Sequence, residues 1–170
     1  MAPTSVSEVV SLLSEHGDRA KLLAGGTDII VQLREGLREA DVVIDIKKID
    51  DVTSFSYCEE NGLSLGAAVP CYHLYEHPEL SGLYGALADS THIIGGWQIQ
   101  SRASVGGNLC NASPAADSIP SLIALNAVAL IAGPEGQRTV PVQEFCTGPG
   151  KNILENGELL VAIQVPAQSG

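Results

Sequence analysis

A chain of 170 residues, 45% hydrophobic and 17% charged, can bury one compact core or two small lobes sharing an interface, which excludes general disorder. Aromatic residues make up only 4%, so that core must be built from Leu, Ile, Val and Ala. Twenty acidic residues against nine basic ones leave a net charge of -11, and the Lys/Arg clusters that bind nucleic acid or anionic membrane are missing.

From the N-terminus, "SVSEVVSLLSEHG" has Val6, Val9, Val10 and Leu13 at helical spacing, with Ser5 or Ser7 to cap its start and Gly17 to end it. "AKLLA" reads as a buried strand broken by Gly25 and Gly26. "DIIVQLREG" returns to helical spacing, with Asp28 at its positive end and Gly36 at its exit, and "DVVID" is a second strand. These elements make a small βαβ-like lobe over residues 1–50. "VTSFSYC" and "LSLGAAV" flank "EENG" as a hairpin. Two helical stretches follow, "YHLYEH" up to Pro78 and "GLYGALADSTHII". After a glycine-rich stretch, "SIPSLIALNA" is a short helix capped by Asp117 or Ser118, with Pro120 tolerated in its first turn. "VALIA", "RTVPV" and "ELLVAIQVP" are strands, which makes residues 51–166 a larger mixed lobe with antiparallel pairing and leaves 167–170 as a tail.

The N-terminus lacks the basic-then-apolar pattern of a signal peptide, and no apolar run reaches the length of a membrane span. Cys58, Cys71, Cys110 and Cys146 form no CxxC pair. The expectation is reduced, mostly buried thiols in a cytoplasmic protein, without a zinc or iron–sulfur site.

Two glycine pairs stand out, in "LLAGGTD" and "SVGGN", each followed by short polar residues. Glycine permits positive φ and close approach to the backbone, and successive amides in such a turn can bind an anion. Neither loop contains Lys, and the nearest Arg is Arg102. An anion would therefore be held by main-chain N–H groups, Thr27, Ser104 and Asn108; a diphosphate spanning both loops suits that arrangement, and Asp117 suits ribose hydroxyls. The alternative is that both pairs are tight turns. "LLAGGTDIIVQLREG" followed by "VVID" imitates a dinucleotide-binding unit but has no G-x-G-x-x-G, and no G-x-x-x-x-G-K-[ST] occurs. "GPGK" reads as a turn, since Pro149 removes an amide donor. His73 and His77 have metal-ligand spacing without an H-E-x-x-H frame, Cys110 and Ser113 lack a marked base, and Trp97 reads as a partly buried core residue.

"AGGTD", "QIQSRASVGGNLCNASPAADS" and "RTVPVQEFCTGPGKNIL", then "ELLVAIQVP", resemble the FAD-binding medium subunit of the molybdenum hydroxylases, the xanthine dehydrogenase and carbon monoxide dehydrogenase family. The resemblance runs from about residue 5 to 166, with "SVGGNLCNASPAAD" its most specific string. It implies an α+β, two-lobed FAD-binding domain of the vanillyl-alcohol oxidase-like (PCMH) type; full subunits continue into a C-terminal domain, before which this sequence stops. It further implies that Leu22, Leu23, Ala24, Gly25, Gly26 and Thr27 bind the FAD diphosphate as a first segment and Ser104, Gly106, Gly107 and Asn108 as a second. By the same resemblance, Asp117 lies near the adenosine half, Leu160 near the flavin, and Ile94 where relatives set an apolar or aromatic residue against the cofactor. One departure is "QIQSRAS", where the family reads "QIRNxAT", so that Gln100 replaces an Arg.

The function implied is electron transfer. A large molybdopterin-binding subunit would hydroxylate substrate, a small subunit would carry two [2Fe–2S] clusters, and FAD in this chain would pass the electrons to NAD or another acceptor. The sequence shows no acid/base constellation or metal ligands of its own. Two other classes fit less of it: a stand-alone flavin oxidase or reductase of the same fold, and a cofactor-free interaction subunit.

Overall fold

The computed structural model describes residues 1–168; the end of the expected tail, 169 and 170, lies outside the described residues. Helix α1 (Val6–His16) buries Val9 and Leu13, one turn apart on a single face. Ser5 accepts from the Glu8 N–H at 3.3 Å, and the Glu8 carboxylate reaches back to the Thr4 N–H at 3.0 Å, so two otherwise orphaned donors are satisfied. Gly17, at φ +53°, ends the helix. Strand β1 (Ala20–Leu23) leads through loop 24–28 into α2 (Ile29–Arg34) and returns as β2 (Val42–Asp45). The two strands are parallel, with Ala20 opposite Val42 and Leu23 opposite Asp45.

After α3 (Asp50–Thr53), β3 (Phe55–Cys58) and β4 (Gly62–Gly66) form the expected hairpin. Helices α4 (Tyr72–Glu76), α5 (Pro78–Leu83), α6 (Gly85–His92), α7 (Trp97–Gln100), α8 (Val105–Asn111) and α9 (Ser118–Ala124) follow. Then come β5 (Val128–Gly133), β6 (Gly136–Pro141), α10 (Val142–Phe145), the small pair β7 (Cys146–Gly148) and β8 (Lys151–Asn152), and β9 (Leu159–Val165). Pro78 does more than end a helix: it opens α5 at the first helical position, where no N–H is needed, with the His77 ring accepting from the Leu80 N–H at 3.4 Å. The glycine-rich stretch is also helical. Tertiary packing overrides its poor propensity, as Val105 and Leu109 are driven into the core. "GPGK" is the turn between β7 and β8, with Gly150 at φ +67°.

The five-stranded antiparallel sheet runs β3-β4-β9-β5-β6, so the last strand in sequence sits in the middle. Strand β9 is apolar almost throughout because both of its faces are covered. Leu160, Ile163 and Val165 join the larger core under α4 to α9. Leu159 and Val161 join Ala132, Val9, Leu13, Ile44 and Val52 in a second core beneath α1, β2 and α3. A register shift between Leu130 and Ile131 breaks the alternation, which is why Leu160 and Ile163 face the same core although three residues apart.

Candidate functional site

Loop 24–28 meets the chain segment that leads into α8. A Cβ on Gly25 would lie 1.9 Å from the Arg102 carbonyl oxygen, and one on Gly106 2.4 Å from the Ala67 carbonyl oxygen. Both glycines therefore allow main chain to pack on main chain. Of the two Gly-Gly pairs only Gly26 has positive φ, at +80°. The second pair, read from sequence as a turn, lies instead in the first turn of α8. At Gly107 a Cβ would meet only the Ser104 hydroxyl, at 3.0 Å.

A cleft of about 520 Å³ opens between these segments, a size suited to a small-molecule ligand. Leu22, Ala24, Gly25, Gly26, Thr27, Ile94, Ser104, Gly106, Gly107, Asn108 and Leu160 all line it, drawn from residues as far apart as 22 and 160. Leu23 and Asp117 do not. A Cβ on Gly26 would lie 2.9 Å from a Leu23 methyl, so Leu23 supports the loop from below. Asp117 is exposed at the start of α9, one residue beyond the wall residue Ala116.

The wall carries unused donors. Among the described residues, nothing accepts from the main-chain N–H groups of Gly25, Gly26, Thr27 and Asp28, nor from that of the buried Gly106. All five residues line the cleft, and successive main-chain amides without a protein acceptor are groups that can cradle an anion. Asn108 uses its Oδ1 to accept from Ser118 Oγ at 2.6 Å, which leaves its NH₂ free to donate. Ser104 Oγ accepts from the Gly107 N–H at 3.0 Å and caps α8, while its own O–H remains a donor on the cleft wall.

Sequence reasoning missed several wall residues. Lys21, Arg38 and Asp28 line the cleft, two cations against one carboxylate in a chain of net charge -11. No carboxylate pairs with Arg38 among the described residues, while Lys21 donates to the Asp18 carbonyl. Lys21 could be read from alternation along β1, but Arg38 follows an irregular turn and left no periodic signal. Gln32 and Asn111 also line the cleft, and Gln32 Nε2 donates to Asn111 Oδ1 at 3.3 Å, joining α2 to α8. Helical spacing from Asp28 and Asn108 points to both residues. The apolar part of the wall is Leu22, Ile46, Ile94, Ile99 and Leu160.

Residues 1–168 match the family described as "FAD binding domain in molybdopterin dehydrogenase". The chain belongs to this family. It is 35% identical over 164 residues to the xanthine dehydrogenase FAD-binding subunit of Escherichia coli O157:H7, covering 96% of this chain and 56% of that protein. It is 32% identical over 166 residues to the carbon monoxide dehydrogenase medium chain of Hydrogenophaga pseudoflava, covering 98% and 58%. Among solved structures, carbon monoxide dehydrogenase from Hydrogenophaga pseudoflava aligns with a TM-score of 0.94 at 32% identity, over 99% of this chain and 58% of that one. Quinoline 2-oxidoreductase from Pseudomonas putida 86 aligns with a TM-score of 0.91 at 26% identity, over 98% and 57%. The chain thus spans little more than half the length of these relatives.

The cleft of this FAD binding domain fits its cofactor. Free amides and two cations suit a diphosphate, and the apolar wall suits a flat ring system. Cys110 also lines the cleft, but burial pushes its thiol up to about 12, with Cys146 adding to the rise, so it stays protonated and a poor nucleophile. Trp97 is not a core residue: it is 54% exposed and meets Tyr72 edge-on at 5.5 Å, off the cleft wall. His73 and His77 pack on Phe55, with ring centroids at 6.1 and 5.7 Å, and no cluster of metal-binding side chains occurs among the described residues.

Proposed function

We propose that this FAD binding domain is the electron-transfer module of a molybdenum hydroxylase. In this reading electrons come from [2Fe–2S] clusters of a small subunit partnered with a large molybdopterin-binding subunit, and leave to NAD or another acceptor. Bound FAD supplies the redox chemistry through its isoalloxazine ring, and the chain supplies position and electrostatics. The observation that carries the reading is the amide-lined, locally basic cleft between loop 24–28 and α8 in a chain of this family.

The chain's own residues take defined parts. The N–H groups of Gly25, Gly26, Thr27 and Gly106, the Thr27 hydroxyl and the Asn108 NH₂ hold the diphosphate, and Gly107 keeps the first turn of α8 free of side chain. Leu22, Ala24, Ile94 and Leu160 exclude water from the apolar end, Leu23 braces the first loop, and Ser104 holds α8 in place. Asp117, exposed beyond the wall, accepts from ribose hydroxyls. Xanthine and carbon monoxide dehydrogenase relatives support the multi-subunit setting. The arrangement is read as the two-lobed vanillyl-alcohol oxidase-like type, with lobes over 1–50 and 51–166. No helix among the described residues is long and apolar enough to cross a membrane, and the proposed location is the cytoplasm.

Titration of the chain with FAD, followed by flavin fluorescence, tests the reading. Saturable binding at one site is expected. No flavin uptake by the chain, nor by the subunit in its native complex, overturns it.

A further inference from the structure

Gln100 is one of the few buried polar side chains, only 4% exposed. Its Nε2 donates to the His92 carbonyl at 2.6 Å and to the Gly95 carbonyl at 3.3 Å, and its Oε1 accepts from the Tyr75 hydroxyl at 2.8 Å. The amide orientation follows from the partners: two carbonyls only accept, so the NH₂ must face them. The backbone carbonyls it grips bracket Ile93 and Ile94, in the bend between α6 and α7, where Gly95 takes φ +57°. Ile93 is 66% exposed while Ile94, 9% exposed, turns into the large core and the cleft wall. Without Gln100, the main-chain tie of Ile94 itself is a long bond from its N–H to the Thr91 carbonyl, at 3.4 Å.

We propose that Gln100, anchored by Tyr75, is a positioning residue that fixes the 93–96 bend so that Ile94 forms one wall of the cofactor cleft. The proposal rests on the FAD reading for what Ile94 faces. Burial pushes the Tyr75 phenol above its usual range, which keeps it a donor to Oε1. The Tyr75 hydroxyl and the two carbonyls together engage both ends of the Gln100 amide.

The test compares Gln100→Glu, Tyr75→Phe and the exposed control Gln98→Glu with the wild-type chain at pH 8. Gln100→Glu keeps the shape but turns a carboxylate oxygen toward two carbonyls. Two measurements are made: hydrogen exchange of amides 93–97 without FAD, and FAD titration. Gln100→Glu is expected to raise exchange and weaken FAD binding by about ten-fold each, the size expected for unmatched buried polar groups. Tyr75→Phe moves both in the same direction by less, and Gln98→Glu moves neither. A folded Gln100→Glu protein with wild-type loop exchange and wild-type FAD affinity overturns the proposal. If Gln100→Glu does not fold, unchanged loop exchange in Tyr75→Phe overturns it. Should wild-type protein bind no FAD, the functional reading fails, and the exchange comparison still decides the positioning role.

Discussion

Gly25 and Gly107 both line the cleft, yet a side chain at the two positions meets different surroundings. At Gly25 the obstacle is the Arg102 carbonyl, which is fixed main chain; at Gly107 it is a hydroxyl that can rotate. Gly25→Ala should therefore force the two segments apart, costing about 2 kcal/mol by overpacking and abolishing FAD binding. Gly107→Ala should stay within about 1 kcal/mol of wild type, since better helix propensity offsets the crowded cap. Thermal melts with and without FAD check both, and equal effects would contradict the assigned contacts. Arg38 tests the charge on the wall. Arg38→Ala should weaken FAD binding several-fold at low salt and less at high salt, because the side chain is exposed and screened.

Between elements, the clearest clip is Arg138 on β6 against Glu158, just before β9. It is bidentate, with Nε–Oε1 and Nη2–Oε2 both 2.7 Å, and the Glu158 side chain is 11% exposed. The Glu155 N–H adds a third bond to the carboxylate at 2.8 Å. The hydrogen bonds from Arg138 hold the Glu158 carboxyl below its usual value of 4.5. A lowered folded-state pKa means that the clip contributes fully above that usual value and is lost as pH falls through the lowered one. Glu158→Gln should cost about 1–2 kcal/mol at pH 7 and flatten the fall in stability below pH ~4.5. Denaturant melts from pH 7 down to 3 read this directly, and parallel curves for the two proteins would rule it out.

For the whole molecule, the important fact is that β9 lines both cores. Unfolding one core exposes the other face of the same strand, so a single cooperative transition is expected by far-UV circular dichroism and by Trp97 fluorescence. The cleft draws on residues 21–46, on Ala67, on 94–116 and on Leu160, so a ligand there ties together segments distant in sequence. FAD at 100 times its Kd should raise stability by about 2.7 kcal/mol and lift the entire melt. A shift confined to one probe would show that the two cores unfold separately.

Local patterning by itself determined the elements with strong periodicity. The α1 helix with a serine cap at its start, the β1–α2–β2 unit, the β3–β4 hairpin and the apolar strand β9 follow from spacing, capping and turn residues that act within a few positions. The two glycine pairs and their short polar neighbours were legible for the same reason, and they mark much of the cleft. Only the tertiary structure decided that Gly25 and Gly106 make room for the Arg102 and Ala67 carbonyls, that Ser104 is a cap, and that the weak helix former "VGGNLCN" is helical. It also decided that Arg38 and Lys21 reach the cleft and that Gln100 grips the bend bearing Ile94. Each depends on a partner distant in sequence or on an irregular loop. Periodicity records which face of an element is buried; it does not record what is buried against it.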